Sequence, residues 1–248
     1  DLVAIGTVAD VVPLQRENRI LVAKGLECLN QNPRPGIRAL LSAAGMEGRQ
    51  ITSETLGFSI GPRINAAGRM GDAMRAARLL MSGDADEAAR LASELEEANR
   101  ERHTVEDRIL REALQMLSAD GELCRRRLVV LARPGWHPGV LGIAAARLCE
   151  RTGKPCILLT IRDGQAHGSA RSVGDFALYD ALYACREHLT AFGGHAQAAG
   201  LSLRQDKLDA FSAALERYAA KLGDMPFPQL RLDCKLTPRG VSMASAAA

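Results

Sequence analysis

The sequence contains no apolar stretch near the length of a membrane-spanning helix and no signal-peptide pattern. It has little net charge: 32 Lys and Arg stand against 29 Asp and Glu, a balance of +3. That excludes recognition of polyanions by bulk charge, so any basic site must be local. It lacks a C-x-x-C pair and any Cys/His cluster at zinc spacing. The six cysteines, at 28, 124, 149, 156, 185 and 234, sit partly in apolar runs such as PCILL, the pattern of reduced thiols in a cytoplasmic protein. No internal repeat is visible.

With 248 residues, 47% of them hydrophobic, the chain can bury a real core as one large domain or two smaller ones. The opening DLVAIGTVADVV reads as a buried strand rich in Val, Ile and Ala, ending in Asp10. Near the other end, QLRLDCKL starts a strand-like pattern, so both ends read as cuts through elements of a longer protein. Between them, residues 1 to about 80 read as one strand with short helical pieces, the tail of an α/β domain. From Asp84 to Leu117 there is neither Pro nor Gly. Asp84 and Glu87 form a capping-box variant, and Leu91, Leu95, Ala98, Val105 and Ile109 recur at helical spacing. The spacing predicts a strut of about 50 Å joining two domains. After it, RRRLVVLAR, KPCILLTI, QAHGSARS and AGLSLRQ read as strands and GVLGIAAARLCERTG, DFALYDALYACREH and LDAFSAALERYAAKL as helices, a small α/β domain with a mixed sheet.

Four polar constellations stand out. In FGGHAQAAG, Gly193 and Gly194 permit conformations and close approaches barred to other residues, and the alanines after His195 would open a helical turn. In HGSARS, Ser169 and Arg171 lie two apart, so on a strand they share a face and can converge on one anion; a phosphate is the natural guest. In WHPGVLG, His137, Gly139 and Gly142 lie where a strand hands over to a helix, a position that attracts anions. In GPRINAAGRM, Arg63 and Arg69 flank Asn65 in a small-residue stretch suited to a nucleic-acid strand. Each alone also fits a solvated loop. Asp10 lies at the expected strand end, where α/β sheets build ligand sites, although an Asp there is also a common cap.

DLVAIGTVADVVPL, GPRINAAGRM, WHPGVLGIAAARL, GSARS and FGGHAQAAG, in this order, resemble the RecJ single-stranded-DNA exonucleases of the DHH phosphoesterase superfamily over nearly the whole chain. The resemblance implies the C-terminal part of a DHH catalytic domain at 1–82, a connecting helix at 83–120, a DHH-associated domain with its G-G-H signature at 121–224, and the start of an OB-fold domain at 225–248. It implies 5′-to-3′ hydrolysis of single-stranded DNA to mononucleotides with two divalent ions, manganese or magnesium. Asp10 matches a metal-binding aspartate, with Asp1 the second choice. Ser169 and Arg171 match residues that hold a 5′ phosphate, and Arg63, Asn65 and Arg69 would line the strand path. His137 would bind substrate, and His195 with Gly193 and Gly194 would touch the scissile nucleotide. Single-strand-binding protein and a helicase are the accompanying partners it suggests. Ala170 stands where the family pattern has a glycine, which would add a methyl group near the phosphate. The D-H-H motif itself does not occur in the sequence, so hydrolysis by these residues alone should be near zero. A binding module without chemistry, and a phosphodiesterase of small nucleotides, use the same residue types and stay open here.

Overall fold

The computed structural model describes residues 1–223; QLRLDCKL and the OB-fold expectation lie outside them. Residues 1–125 contain no strand. Helices α1 (Leu2–Ala9), α2 (Arg16–Gln31), α3 (Pro35–Ala43), α4 (Ser53–Thr55), α5 (Gly61–Met70) and α6 (Met74–Met81) form a helical lobe, α4 running into α5 through a π-helical turn at Leu56–Ile60. Its core joins Ala4, Ile5, Leu29, Ile37, Leu40, Leu56, Ile60 and Leu79 to Leu91 and Leu95 of the long helix α7 (Ala85–Ala119).

The expected opening strand is therefore a helix, and Asp10 is its C-terminal cap, not a strand end. A short apolar run carries no period that separates the two states. The carboxylate of Asp1 accepts from Leu2 N, capping the first turn, and only Ala4 and Ile5 are fully buried while Val3 is exposed. A strand would need a partner ladder, and with no strand among residues 1–125 a helix satisfies the backbone locally.

The long helix meets its expected start: Asp84 Oδ1 accepts from Glu87 N at 2.7 Å, and Glu87 turns back to accept from Ser82 Oγ at 2.7 Å. Its 35 residues span about 52 Å. It is no free strut, because its first half packs on α3, α5 and α6 and its second half on a helix of the second lobe. Asp84→Ala should cost about 1 kcal/mol in denaturant unfolding, the value of one lost N-cap; no loss would mean the exposed cap contributes nothing.

After α8 (Gly121–Arg125) come β1 (Val129–Pro134), α9 (Pro138–Thr152), β2 (Cys156–Arg162), β3 (Gln165–Arg171), α10 (Leu178–Ala184), β4 (Ala191–Gly194), β5 (Ala198–Arg204) and α11 (Leu208–Lys221). The sheet order is β1-β2-β3-β5-β4, with β1 and β2 parallel and the other pairs antiparallel, so it is mixed as expected. The parallel pair requires a crossover, and α9 provides it. One sheet face packs on α9 and the end of α7 through Val129, Leu131, Cys156 and Leu158. The opposite face packs on α10 and α11 through Ile157, Leu159, Ala170, Leu201 and Phe211. The alanines after His195 do not open a helix; Ala196 lies in the β4–β5 loop, and Ala198 and Ala199 begin β5, which closes a hairpin with β4.

Candidate nucleic-acid interface

Alternation along β3 settles which side chains share a face. Ser169 and Arg171 project toward α9, whereas Ala170 is fully buried in the opposite core. Its methyl group therefore lies away from the Ser169 and Arg171 side, contrary to the sequence expectation. Ser169 pairs with Gly200 of β5, which pairs with Gly193 of β4. This row of small residues leaves the sheet surface low. A groove of about 380 Å³ follows, lined by Pro138 and Leu141 of α9 and by His167, Ser169, Gly200 and Ser202 among others. Nothing in the local sequence singles out His167 and Ser202; their Nδ1 to Oγ contact of 2.8 Å depends on a strand register that no local pattern encodes.

Two glycines of α9 explain how this face meets the helical lobe. A methyl group at Gly142 would lie 2.8 Å from Arg171 Nη2 and 3.6 Å from Ser169 Oγ, so α9 crosses directly above these side chains and any larger residue there would displace the Arg171 guanidinium. One at Gly139 would collide with the carbonyl of Arg69. Arg69 Nη1 also reaches Gly139 O at 3.4 Å, at the long limit of a hydrogen bond. Arg69 thus arrives from the helical lobe at the base of α9, close enough to Arg171 that its charge, after burial, is the second cause lowering the Arg171 pKa. Arg171 nonetheless keeps its charge at neutral pH. Arg171 Nη1 donates to Ala170 O at 2.8 Å, and among the described residues no carboxylate pairs with Arg171 or Arg69. Two like charges held near each other without a counter-ion repel, a repulsion that an anion between them would relieve.

The other predicted residues are placed as follows. Asn65 and Arg69 are four apart on α5 and so share a side, with Asn65 exposed. Arg63 points elsewhere: Nε donates to Glu96 Oε2 at 2.6 Å and Nη1 to Ser59 O at 2.8 Å, leaving its side chain 15% exposed. His137 caps α9, and its buried Nδ1 has no partner among the described residues. His195 sits exposed in the β4–β5 loop, its N donating to Ala198 O at 2.8 Å and its Nδ1 accepting from Gln197 N at 3.3 Å. Asp1 is engaged by Arg34 at 2.6 and 2.9 Å. Asp10 is exposed, followed by Val11 at φ 55°, a costly conformation for a β-branched residue. Asp10 lies beyond Ala9, which touches Gly61 at the start of α5, whereas Arg69 is at the far end of that helix. The structure thus brings Arg69, Gly139, Gly142, Ser169 and Arg171 together. Asp10, Arg63 and His195 are not among the residues meeting there.

Residues 126–221 match the DHHA1 domain family. The single-stranded-DNA-specific exonuclease RecJ of Bacillus subtilis (strain 168) is 41% identical over 221 residues, and that of Dickeya dadantii (strain 3937) 43% over 233. The chain belongs to the RecJ family. The matches cover 88% and 90% of this chain but 28% and 40% of those two RecJ proteins, so the chain spans well under half their length. The crystal structure of RecJ from Thermus thermophilus in complex with Mn²⁺ superposes with a TM-score of 0.79 at 39% identity, covering 91% of this chain and 32% of that one. Exonuclease RecJ bound to manganese gives 0.76 at 39%, covering 92% and 55%. Among the described residues of this RecJ-family chain no three His, Cys, Asp or Glu side chains cluster as metal ligands. Asp10 offers one carboxylate and Asp1 is committed to Arg34, so these residues alone do not fit a two-ion centre.

Proposed function

We propose that this chain is the end-recognition part of a 5′-to-3′ exonuclease of single-stranded DNA. Arg171 and Ser169 from β3 and Arg69 from α5 hold the 5′ phosphate beneath the start of α9, and the low floor through Gly200 and Gly193 carries the first nucleotide. The observation that carries this reading is the convergence of Arg69 on Gly139 and of Arg171 and Ser169 on Gly142, one turn of α9 apart, with no carboxylate partner for either arginine among the described residues. Guanidinium groups with a neutral hydroxyl donor suit a phosphate dianion, which accepts several charge-assisted hydrogen bonds at once. His137, with its unpartnered ring nitrogen, and exposed Asn65 extend the donors on either side. His195 is assigned to the nucleotide being cut and Gly194 to the turn that presents it. Arg63 acts behind the strand path, through Glu96.

Chemistry in the whole protein needs divalent ions, manganese or magnesium, to which Asp10 would contribute one carboxylate. Single-strand-binding protein and a helicase are its proposed partners. By themselves these 248 residues should bind a strand weakly at best and release almost no mononucleotide.

The test compares binding of a short single-stranded oligonucleotide bearing a 5′ phosphate with its 5′-hydroxyl twin. The phosphorylated strand should bind on the order of 10- to 100-fold more tightly, the worth of one or two hydrogen bonds to a charged group. Equal affinities would remove the end-recognition reading.

A further inference from the structure

The long helix α7 carries two carboxylates that each tie down a different neighbour. Glu96 accepts from Arg63 of α5 at 2.6 Å. Glu106 bridges two arginines: Oε2 accepts from Arg102 Nη1 at 2.7 Å, and Oε1 pairs with Arg147 Nε of α9 at 3.0 Å. Arg147 Nη1 also donates to Asp107 at 2.9 Å, and Arg102 Nη2 to Asn99 at 3.0 Å. The Glu106 side chain is only 4% exposed and that of Arg102 9%. Glu96 and Glu106 stand ten residues apart, about 15 Å along the helix axis. One therefore fixes α5 and the other α9 on a single rigid rail.

Exposed ion pairs contribute little, and a buried pair is seldom better than apolar packing; its best-attested use is to set a register. Here the register has a readable object. Helix α5 delivers Arg69, α9 delivers Gly139 and Gly142, and their contact leaves no room even for a methyl group. A small slide of α9 along α7 would separate Arg69 from Arg171 or crush them together. Apolar packing of α7 residues such as Ile109 and Ala113 in one core with Val140 and Ala144 of α9 attaches the two helices but defines their relative position less sharply than a two-armed carboxylate.

We infer that Glu106 is a positioning residue: through Arg147 it sets α9 so that Arg171 and Ser169 beneath Gly142 stay in place relative to Arg69 at Gly139. This rests on the end-recognition reading above. Its consequence is opposite in sign to simple electrostatics. Removing a negative charge close to a cationic pocket should strengthen anion binding if charge alone mattered; loss of register should weaken it.

The experiment measures affinities for the 5′-phosphate and 5′-hydroxyl oligonucleotides in the 248-residue chain, in Glu106→Gln and in Arg147→Met, with circular dichroism confirming folding. Arg147 is 43% exposed, so its variant should fold even if the Glu106 variant does not. Both should lose on the order of 10-fold in the phosphate preference while binding of the 5′-hydroxyl strand changes little. An unchanged or increased preference in the folded variants overturns the inference and leaves the anion site standing. An equal loss for the two strands overturns it as well, reducing Arg147 to a general cation. Absence of any preference in the parent chain overturns both the inference and the end-recognition reading.

Discussion

Gly194→Ala is expected to destabilise the sheet-bearing lobe by roughly 2–4 kcal/mol, whereas Gly193→Ala changes stability by less than about 1 kcal/mol. The two residues are adjacent and look equivalent in G-G-H, but their backbones do different work. Gly194 has φ 144°, a region that side chains rarely enter. A methyl group there would collide with Ala198 O and lie 2.5 Å from Ala199 Cα, both backbone atoms of the paired strand that cannot swing aside. At Gly193 nothing lies within 4 Å. Its bareness keeps the floor low beside Gly200, so Gly193→Ala should leave the fold intact and weaken strand binding. The single tryptophan, Trp136, is buried in the same lobe with Nε1 donating to Glu112 at 2.7 Å, and its fluorescence reports unfolding. If the two alanine variants unfolded at the same denaturant concentration, the division of labour between the glycines would be wrong.

The same contrast shows what local sequence can carry. Turn chemistry, caps and alternation are short-range, so the Asp84 cap, the strands beginning at Val129 and Cys156, and the shared face of Ser169 and Arg171 are legible in it. The row Ser169, Gly200, Gly193 is not, since it depends on a register across three strands. Arg63 and Arg69 read as twin cations of a loop. On a helix they lie roughly 120° apart, which sends one to Glu96 and the other to Gly139. Arg102 and Glu106 look like an ordinary surface pair four residues apart until Arg147 arrives from another helix and both are buried. Residues 2–9 read as a strand and fold as a helix because a short, mostly apolar run suits a buried strand and a half-buried helix equally.

Arg171→Ala should lower affinity for the 5′-phosphorylated strand about 100-fold, or roughly 2.7 kcal/mol, and leave the 5′-hydroxyl strand nearly unaffected. Arg171 lies partly buried under Gly142, its charge already disfavoured by burial and by Arg69, so an arriving phosphate relieves an existing repulsion as well as adding hydrogen bonds. Arg171→Lys keeps the charge but not the planar fork, and a flexible ammonium cannot span the bare strip beside Ser169, so it should restore no more than about a tenth of the lost affinity. Ser169→Ala removes a neutral donor and should cost about 5-fold, near 1 kcal/mol. Loss of one neutralised phosphate should also flatten the dependence of log affinity on log salt by about 0.7 for a single strand. Titrations at several salt concentrations check all three. Lysine binding the phosphorylated strand as tightly as arginine would show that only charge is read there, and the geometry beneath Gly142 would lose its role.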